Sequence, residues 1–271
     1  MISIRFSAPI FTLAALSSLN GQIPISPAPA APIGFLNEAK LDTVESIAKA
    51  SPPRPALTPE MRGDILMARK MYREAAEVYA EGSASSAVLA NKTGIAYHQM
   101  LALDAARKHY NRALRLNPSY PEAVNNLGTV YYAHKNYRRA VSLYNRALKL
   151  APNSASIMSN LGTAQFARKK YKEALEAYQQ ALALDSEVFE HRSSHGVLLQ
   201  ERSVEERAKF HFYLCKTYAK AGQVERALLY MRKAIEEGFR ERDKFREDQD
   251  FAKLQDNAEF KELLALEPRV L

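Results

Sequence analysis

Few residues in this chain are of types that do chemistry, and most can be assigned a chemical possibility one at a time. His191 and His195 stand four apart, the spacing that lets two imidazoles share a helix face as metal ligands. Gly196 and the serines between them argue for a loop, and no third ligand stands at a useful local spacing, so both histidines read as solvated loop residues and no metal site is expected. The single cysteine, Cys215, excludes an intramolecular disulfide framework and a cysteine-rich zinc site. His109 and His211 read as ordinary packing residues on helix faces. No Ser-His-Asp arrangement, paired catalytic carboxylates, phosphate loop or dinucleotide fingerprint is present, so neither an enzymatic activity nor a cofactor is expected. What does recur is asparagine: Asn91, Asn125, Asn126 and Asn160 repeat at a spacing of 34 residues, or one off it. A primary amide both donates and accepts, so a row of them could bond an extended peptide's backbone without reading its side chains.

The elements that would position such a row become visible when the chain is slid against itself by 34 residues. Three segments match, Ala87 to Tyr120, Pro121 to Ser154 and Ala155 to Val188. In the middle one, Leu127-Gly128 is followed by Tyr131, Tyr137, Ala140, Tyr144, Ala147 and Pro152. The preceding copy holds Gly94, Tyr97, Ala106, Tyr110, Ala113 and Pro118 at those places, and the following copy holds Gly162, Tyr171, Ala174, Tyr178 and Ala181. Apolar residues recur at three and four positions in two stretches per copy, which predicts two amphipathic helices parted by a polar break such as His134-Lys135-Asn136. A glycine inside the first helix costs about 1 kcal/mol relative to alanine. Close approach of the paired helix through Ala106, Ala140 and Ala174 is the expected compensation, with the tyrosines filling wider gaps. Pro118 and Pro152 end the second helix by removing its amide donor.

This pattern resembles the tetratricopeptide repeat, whose 34-residue period and Leu-Gly, Tyr, Ala, aromatic and Pro places it shares from about Leu57 to Phe239. A shortened first copy falls at Ala56 to Gly82, with Gly63, Tyr72, Ala75 and Tyr79 in place, and a last one at Ala208 to Phe239, where Cys215 takes the glycine place. The resemblance implies an all-α fold, an α-solenoid wound as a right-handed superhelix of about five helix-turn-helix repeats with a short C-terminal helical cap. The domain plan is then repeats one to four over 56–188, an insertion over 189–207 whose Val188-Phe189 and Gly196 to Leu199 suggest a small hairpin or hooked loop, and repeat five with capping helices over 208–271. Ser203 and Glu206 read as a capping box opening the helix after the insertion.

The resemblance also implies that places two, five, six, nine, twelve and thirteen of each copy line a concave groove. Those places nominate Asn91, Asn125 and Ser159 (fifth), Lys92, Asn126, Asn160 and Tyr213 (sixth), and His98, Tyr132 and Phe166 (twelfth) as partner-binding residues. The asparagines look like the ladder of superhelical members of the family; the bland alternative is tolerated polar surface. The family's two-carboxylate clamp is not matched, because Ser156 and Asn160 stand where it needs Lys and Arg. The implied function is a scaffold that binds an extended or helical segment of another protein. The alternative is a cell-envelope accessory protein that contacts anionic polymers or lipid head groups through its basic outer face or the insertion. The formal net charge of +8 permits that alternative but is equally the mark of a solvated basic face. Nucleic acid is not expected as a partner, since no base-reading module is present.

Ahead of the repeats, Arg5 and the apolar run from Ala8 to Leu19 over residues 1–21 read as a secretory signal peptide, implying a secreted or periplasmic protein; a cytoplasmic one with an uncleaved leader is the alternative. Residues 22–55 form a Pro/Ala-rich linker with a short helix from about Glu38 to Ala50. No stretch is long and apolar enough for a transmembrane helix.

Overall fold

The chain divides into two units, Met1–Pro55 and Ala56–Leu271. The computed structural model describes residues 56–190 and 203–266 of the second. The leader, the linker helix at 38–50, His191, His195 and the Gly196 to Leu199 part of the expected hairpin lie outside the described residues.

Five helix pairs follow one another: α1 (Pro59–Ala68) with α2 (Tyr72–Ala80), α3 (Ala87–Gln99) with α4 (Leu103–Leu116), α5 (Pro121–Ala133) with α6 (Tyr137–Leu150), α7 (Ala155–Ala167) with α8 (Tyr171–Leu184), and α9 (Val204–Lys220) with α10 (Val224–Glu236). The fold is an all-α solenoid. Each first helix is started by a local device. Thr58, Ser86, Ser154 and Ser203 accept through their hydroxyls from the amides of Met61, Leu89, Ile157 and Glu206, while Pro121 opens α5 at a position where a missing N–H costs nothing. The Ser203 cap starts α9 at Val204, so this helix takes up the last four residues assigned to the insertion. Residues 186–190 form turns, with Phe189 edge-on to Tyr178 and Tyr218 and the Glu190 carboxylate accepting from the hydroxyls of Tyr218 and Tyr230.

The turn inside each pair is the same in all five. The chain leaves the first helix through a residue in the left-handed region, Lys70, Leu101, Lys135, Lys169 or Gly222, with φ between 58° and 75°. Two crossed amide bonds close it; in the third repeat Lys135 N–H bonds the Tyr132 carbonyl at 2.8 Å and Asn136 N–H the Tyr131 carbonyl at 2.8 Å. This fixes the angle at which the second helix returns, and with it the contact that sets the pair's spacing.

That contact differs from the expectation in its partner. A Cβ built on Gly63, Gly94, Gly128 or Gly162 would lie 2.2, 2.6, 2.6 or 2.5 Å from the ring of Tyr79, Tyr110, Tyr144 or Tyr178, sixteen residues on. The glycine therefore makes room for an aromatic ring against the first helix; Gly162 also meets an alanine backbone, the Ala174 carbonyl at 3.2 Å. Ala106, Ala140 and Ala174 are buried alongside. In the fifth repeat the same two places hold Cys215 and Met231, both at 0% exposure: as the first helix gains a side chain, the second exchanges its ring for a flexible thioether. Burial pushes the Cys215 thiol far up, as expected of a structural cysteine.

Beyond α10 the chain turns back as α11 (Asp243–Glu247), a 3₁₀ turn (Gln249–Leu254) and α12 (Ala258–Ala265). Phe245, Phe251, Leu254, Phe260 and Leu263 are buried, and Phe212 of α9 stacks on Phe239 with ring centroids 4.5 Å apart, so this segment seals the end of the stack.

Candidate functional site

First helices of the inner three repeats contact one another more than their second helices do, which places α3, α5 and α7 on the inner, concave side. The nominated residues lie on these helices, and the structure separates them into two groups.

Places five and six fall on the seam between adjacent first helices. Asn91, Asn125, Asn126 and Asn160 are only 2 to 4% exposed. Asn126 Nδ2 donates to Asn91 Oδ1 at 3.1 Å, Asn125 Nδ2 to Asn126 Oδ1 at 3.3 Å, and Asn160 Nδ2 to Asn125 Oδ1 at 3.0 Å. The amides form one chain across three repeats and are committed to one another, which corrects the expectation of free groups awaiting a guest backbone. The cause is burial: a polar group between packed helices must be satisfied there, and an amide opposite an amide does so mutually.

The same seam takes a different form at each end. Between the first and second repeats, place six is Lys92, whose ammonium sits 2.8 Å from Glu60 and 2.7 Å from Asp64, places five and nine of the preceding copy. Tyr79 donates its hydroxyl to Asp64 at 2.6 Å. Burial acts to lower the Lys92 pKa, but the hydrogen bonds to Asp64 and Glu60 outweigh it and raise it. Between the fourth and fifth repeats, place six is Tyr213, stacked on Tyr171 at 5.1 Å and edge-on to Phe166 at 5.7 Å. Burial first, then Tyr171, Glu241 and Asp248, pushes the Tyr213 phenol up to about 12. At the cap, Lys216 is held by Asp248 and Asp250, the opposite polarity to the Lys92 seam. Each seam is thus a matched pair, ionic, amide or aromatic.

The second group faces outward from the seam. His98 lies with Nδ1 3.5 Å from the Tyr110 hydroxyl, and the Tyr132 ring is 5.2 Å from Tyr137. Phe166 is buried among Tyr171, Phe210 and Tyr213 and so supports the wall from behind. Ser159 donates to the Ser156 carbonyl at 3.0 Å. Beside them at places two and nine are Val88, Ile95, Ser156 and Lys209, with Lys209 Nζ 4.4 Å from the centre of the Tyr171 ring. Glu60, Asp64, Tyr171 and Lys209 are contributors that sequence reasoning passed over. The complementary charge of Glu60 and Asp64 against Lys92 was the available signal.

Of the remaining histidines, His109 stacks on Tyr97 at 5.2 Å, and burial, then Arg112, lowers its pKa. His211 Nδ1 lies 2.8 Å from Glu237, and burial, opposed by that carboxylate, lowers its pKa as well. Among the described residues no three His, Cys, Asp or Glu side chains converge as a metal site, and no helix is long and apolar enough to cross a membrane.

Two family models match the chain, one described as tetratricopeptide repeat over residues 121–187 and one as TPR repeat over residues 94–135. No curated protein matches. Similar solved structures include a crystal structure of MamA, with 17% identity, a TM-score of 0.45 and coverage of 65% of this chain and 93% of that one. MamA 41-end from Desulfovibrio magneticus RS-1 is 18% identical, with a TM-score of 0.46 and coverage of 73% and 95%. The first TPR of Spaghetti (RPAP3) bound to the HSP90 peptide SRMEEVD is 27% identical, with a TM-score of 0.38 and coverage of 40% and 85%. No function follows from likenesses at this level.

Proposed function

Because the chain is a tetratricopeptide-repeat protein, we propose that it is an interaction scaffold that holds a segment of another polypeptide against the concave face of its first helices. The observation that carries this reading is the division of labour just described. Apart from Ser159, places five and six on the inner repeats are consumed by the seams, whereas Val88, Ile95, His98, Tyr132, Ser156 and Lys209 keep part of their surface exposed and form a mixed apolar, aromatic and polar row. Such a row, advancing one step per repeat, suits an extended strand or one helix of a partner, with apolar contacts supplying affinity and polar ones register.

The test uses peptides selected from a random display library on the full chain. A photo-crosslinking residue at Ser156, on the concave side, captures the selected peptide, and one at Ser142, exposed on the second helix α6, does not. Val88→Glu weakens the peptide about tenfold or more while the far-UV circular dichroism is unchanged. Crosslinks from Ser142 alone, or undiminished binding by Val88→Glu, would refute the groove. Binding through this face is weakly dependent on salt.

The reading of residues 1–21 as an export leader belongs to the same proposal, since it restricts the partner to exported proteins. A mature chain starting near Gln22 supports it, and a mature chain retaining Met1 overturns it.

A further inference from the structure

The turns that join the helix pairs of the third and fourth repeats border an open cleft of about 610 Å³. His134, Lys135 and Arg138 enter it from the α5–α6 turn, and Arg168 and Lys170 from the α7–α8 turn one repeat later, with Asn136 and Tyr137 completing the lining. Four of these groups are permanently cationic, a fifth becomes so on protonation, and none is a carboxylate.

Several cations elsewhere among the described residues are answered by carboxylates. Lys92 is answered by Glu60 and Asp64, Lys216 by Asp248 and Asp250, Arg226 by Glu187, and Arg232 by Glu259. Lys135 and Arg138 have no ion pair among the described residues. Arg168 donates to the neutral Gln165 amide, and Lys170 has only a long, exposed approach of 3.9 Å to Glu173. The frame is rigid, because the left-handed residues Lys135 and Lys169 and the crossed amide bonds fix both turns. The fold therefore holds four cationic groups around one cleft whose lining offers no carboxylate, an arrangement that an incoming anion complements.

We propose that this cleft is a binding site for a multiply phosphorylated anion. A single carboxylate neutralises one of four charges, whereas clustered phosphates answer several at once, and the guanidinium groups of Arg138 and Arg168 match phosphate oxygens in a bidentate fork. The cavity accommodates more than one phosphate group. Its one aromatic ring, Tyr137, already packs on Tyr132 at 5.2 Å and offers no open platform for a nucleobase, so the phosphates themselves are what the site recognises. The site lies on the turns, and its existence does not depend on the groove reading.

Isothermal titration of the full chain with inorganic tripolyphosphate tests it. The expected result is saturable one-to-one binding that weakens about tenfold or more in Arg138→Ala/Arg168→Ala. A control pair with the same charge change at exposed, distant positions, Lys149→Ala/Lys220→Ala, stays within about twofold of the parent. No binding, non-saturating binding, or equal weakening in both pairs would overturn the proposal in favour of diffuse surface charge. Flotation with phosphatidylcholine vesicles containing phosphatidic acid separates the sources of the phosphate. Capture that tripolyphosphate reverses and the cleft pair abolishes assigns the site to a lipid head group, and tripolyphosphate binding without capture assigns it to a soluble ligand.

Discussion

Gly128→Ala is the most direct probe of what sets the spacing of the helix pairs. The added Cβ would lie 2.6 Å from Tyr144 Cε1 and 2.9 Å from Cδ1, where ordinary contact begins near 3.4 Å. The ring must therefore retreat by about 0.8 Å, and Tyr144 is at 0% exposure with no open space to enter. Overpacking of this kind costs about 1 to 3 kcal/mol, while alanine returns about 1 kcal/mol of helix propensity. The expected net loss is about 0 to 2 kcal/mol, each kcal/mol of which lowers the thermal midpoint by about 2 to 4 °C in a chain of this size. The fifth repeat supplies the rescue. Gly128→Cys combined with Tyr144→Met reproduces the Cys215 and Met231 pair, and the double variant is expected to be at least about 1 kcal/mol more stable than the sum of the single changes predicts. Tyr144 also differs from its counterparts in that its hydroxyl has no hydrogen-bond partner among the described residues, so Tyr144→Phe should be neutral or stabilising, whereas Tyr79→Phe breaks a 2.6 Å bond to Asp64. Urea titrations followed by far-UV circular dichroism measure all of these. A Gly128→Ala chain stabilised by the full helix-propensity gain of about 1 kcal/mol, or an additive double variant, would refute the idea that the ring on the glycine holds the pair.

Asn126→Ala leaves Asn91 Oδ1 and Asn125 Nδ2 without their partner inside the seam and should cost about 1 to 3 kcal/mol in the same titration; parental stability would show that the amide chain contributes nothing. Leu101 holds φ at 59° with 73% of its surface exposed, so Leu101→Gly should stabilise by up to about 1 kcal/mol, while Gly222→Ala at the equivalent turn should destabilise by a similar amount. Burial acts to raise the Asp64 pKa, but hydrogen bonds from Lys92 and Tyr79 outweigh it and hold it below the usual 3.8. A carboxylate depressed in the folded state contributes stability that is present above its unfolded pKa and lost as pH falls through the folded one. A Lys92 raised above 10.5 contributes stability that is present below that value and lost as pH rises through the folded one. The stability difference between the parent and Lys92→Met should therefore be flat across neutral pH, shrinking below pH 3.8 and again above pH 10.5, and remaining small because the pair is partly exposed. A difference that persists unchanged into strong acid would show that the ion pair is not its source.

How much of this was legible in the sequence follows from which contacts carry a fixed separation along the chain. The repeats, their small and aromatic places and the turns between helices recur every 34 residues because each pair must close on itself in the same way, and that regularity is visible without coordinates. The partner of the glycine was not, because alanines and tyrosines recur with the same period and either could have faced it. The deciding sign was the fifth repeat, where Cys215 and Met231 change together at a sixteen-residue separation.

The seam was harder for a reason that lies in the chemistry of asparagine. When two repeats meet through opposite charges, as Lys92 meets Glu60 and Asp64, the residue types themselves announce a pair. When they meet through amides, each group is both donor and acceptor, so Asn126 against Asn91 and Asn160 against Asn125 look like one residue repeated for an outside ligand. The difference between a binding ladder and a self-bonded one is a matter of how closely adjacent first helices approach, and a period of residues does not encode that distance. Once the distance is known, the seams are seen to vary only as matched sets, since changing one member strands the other. A residue on the concave face that is free to vary alone must lie off the seam, and on this chain that points to the exposed places of Val88 and Ser156 as the part of the surface able to adapt to a partner while the solenoid stays intact.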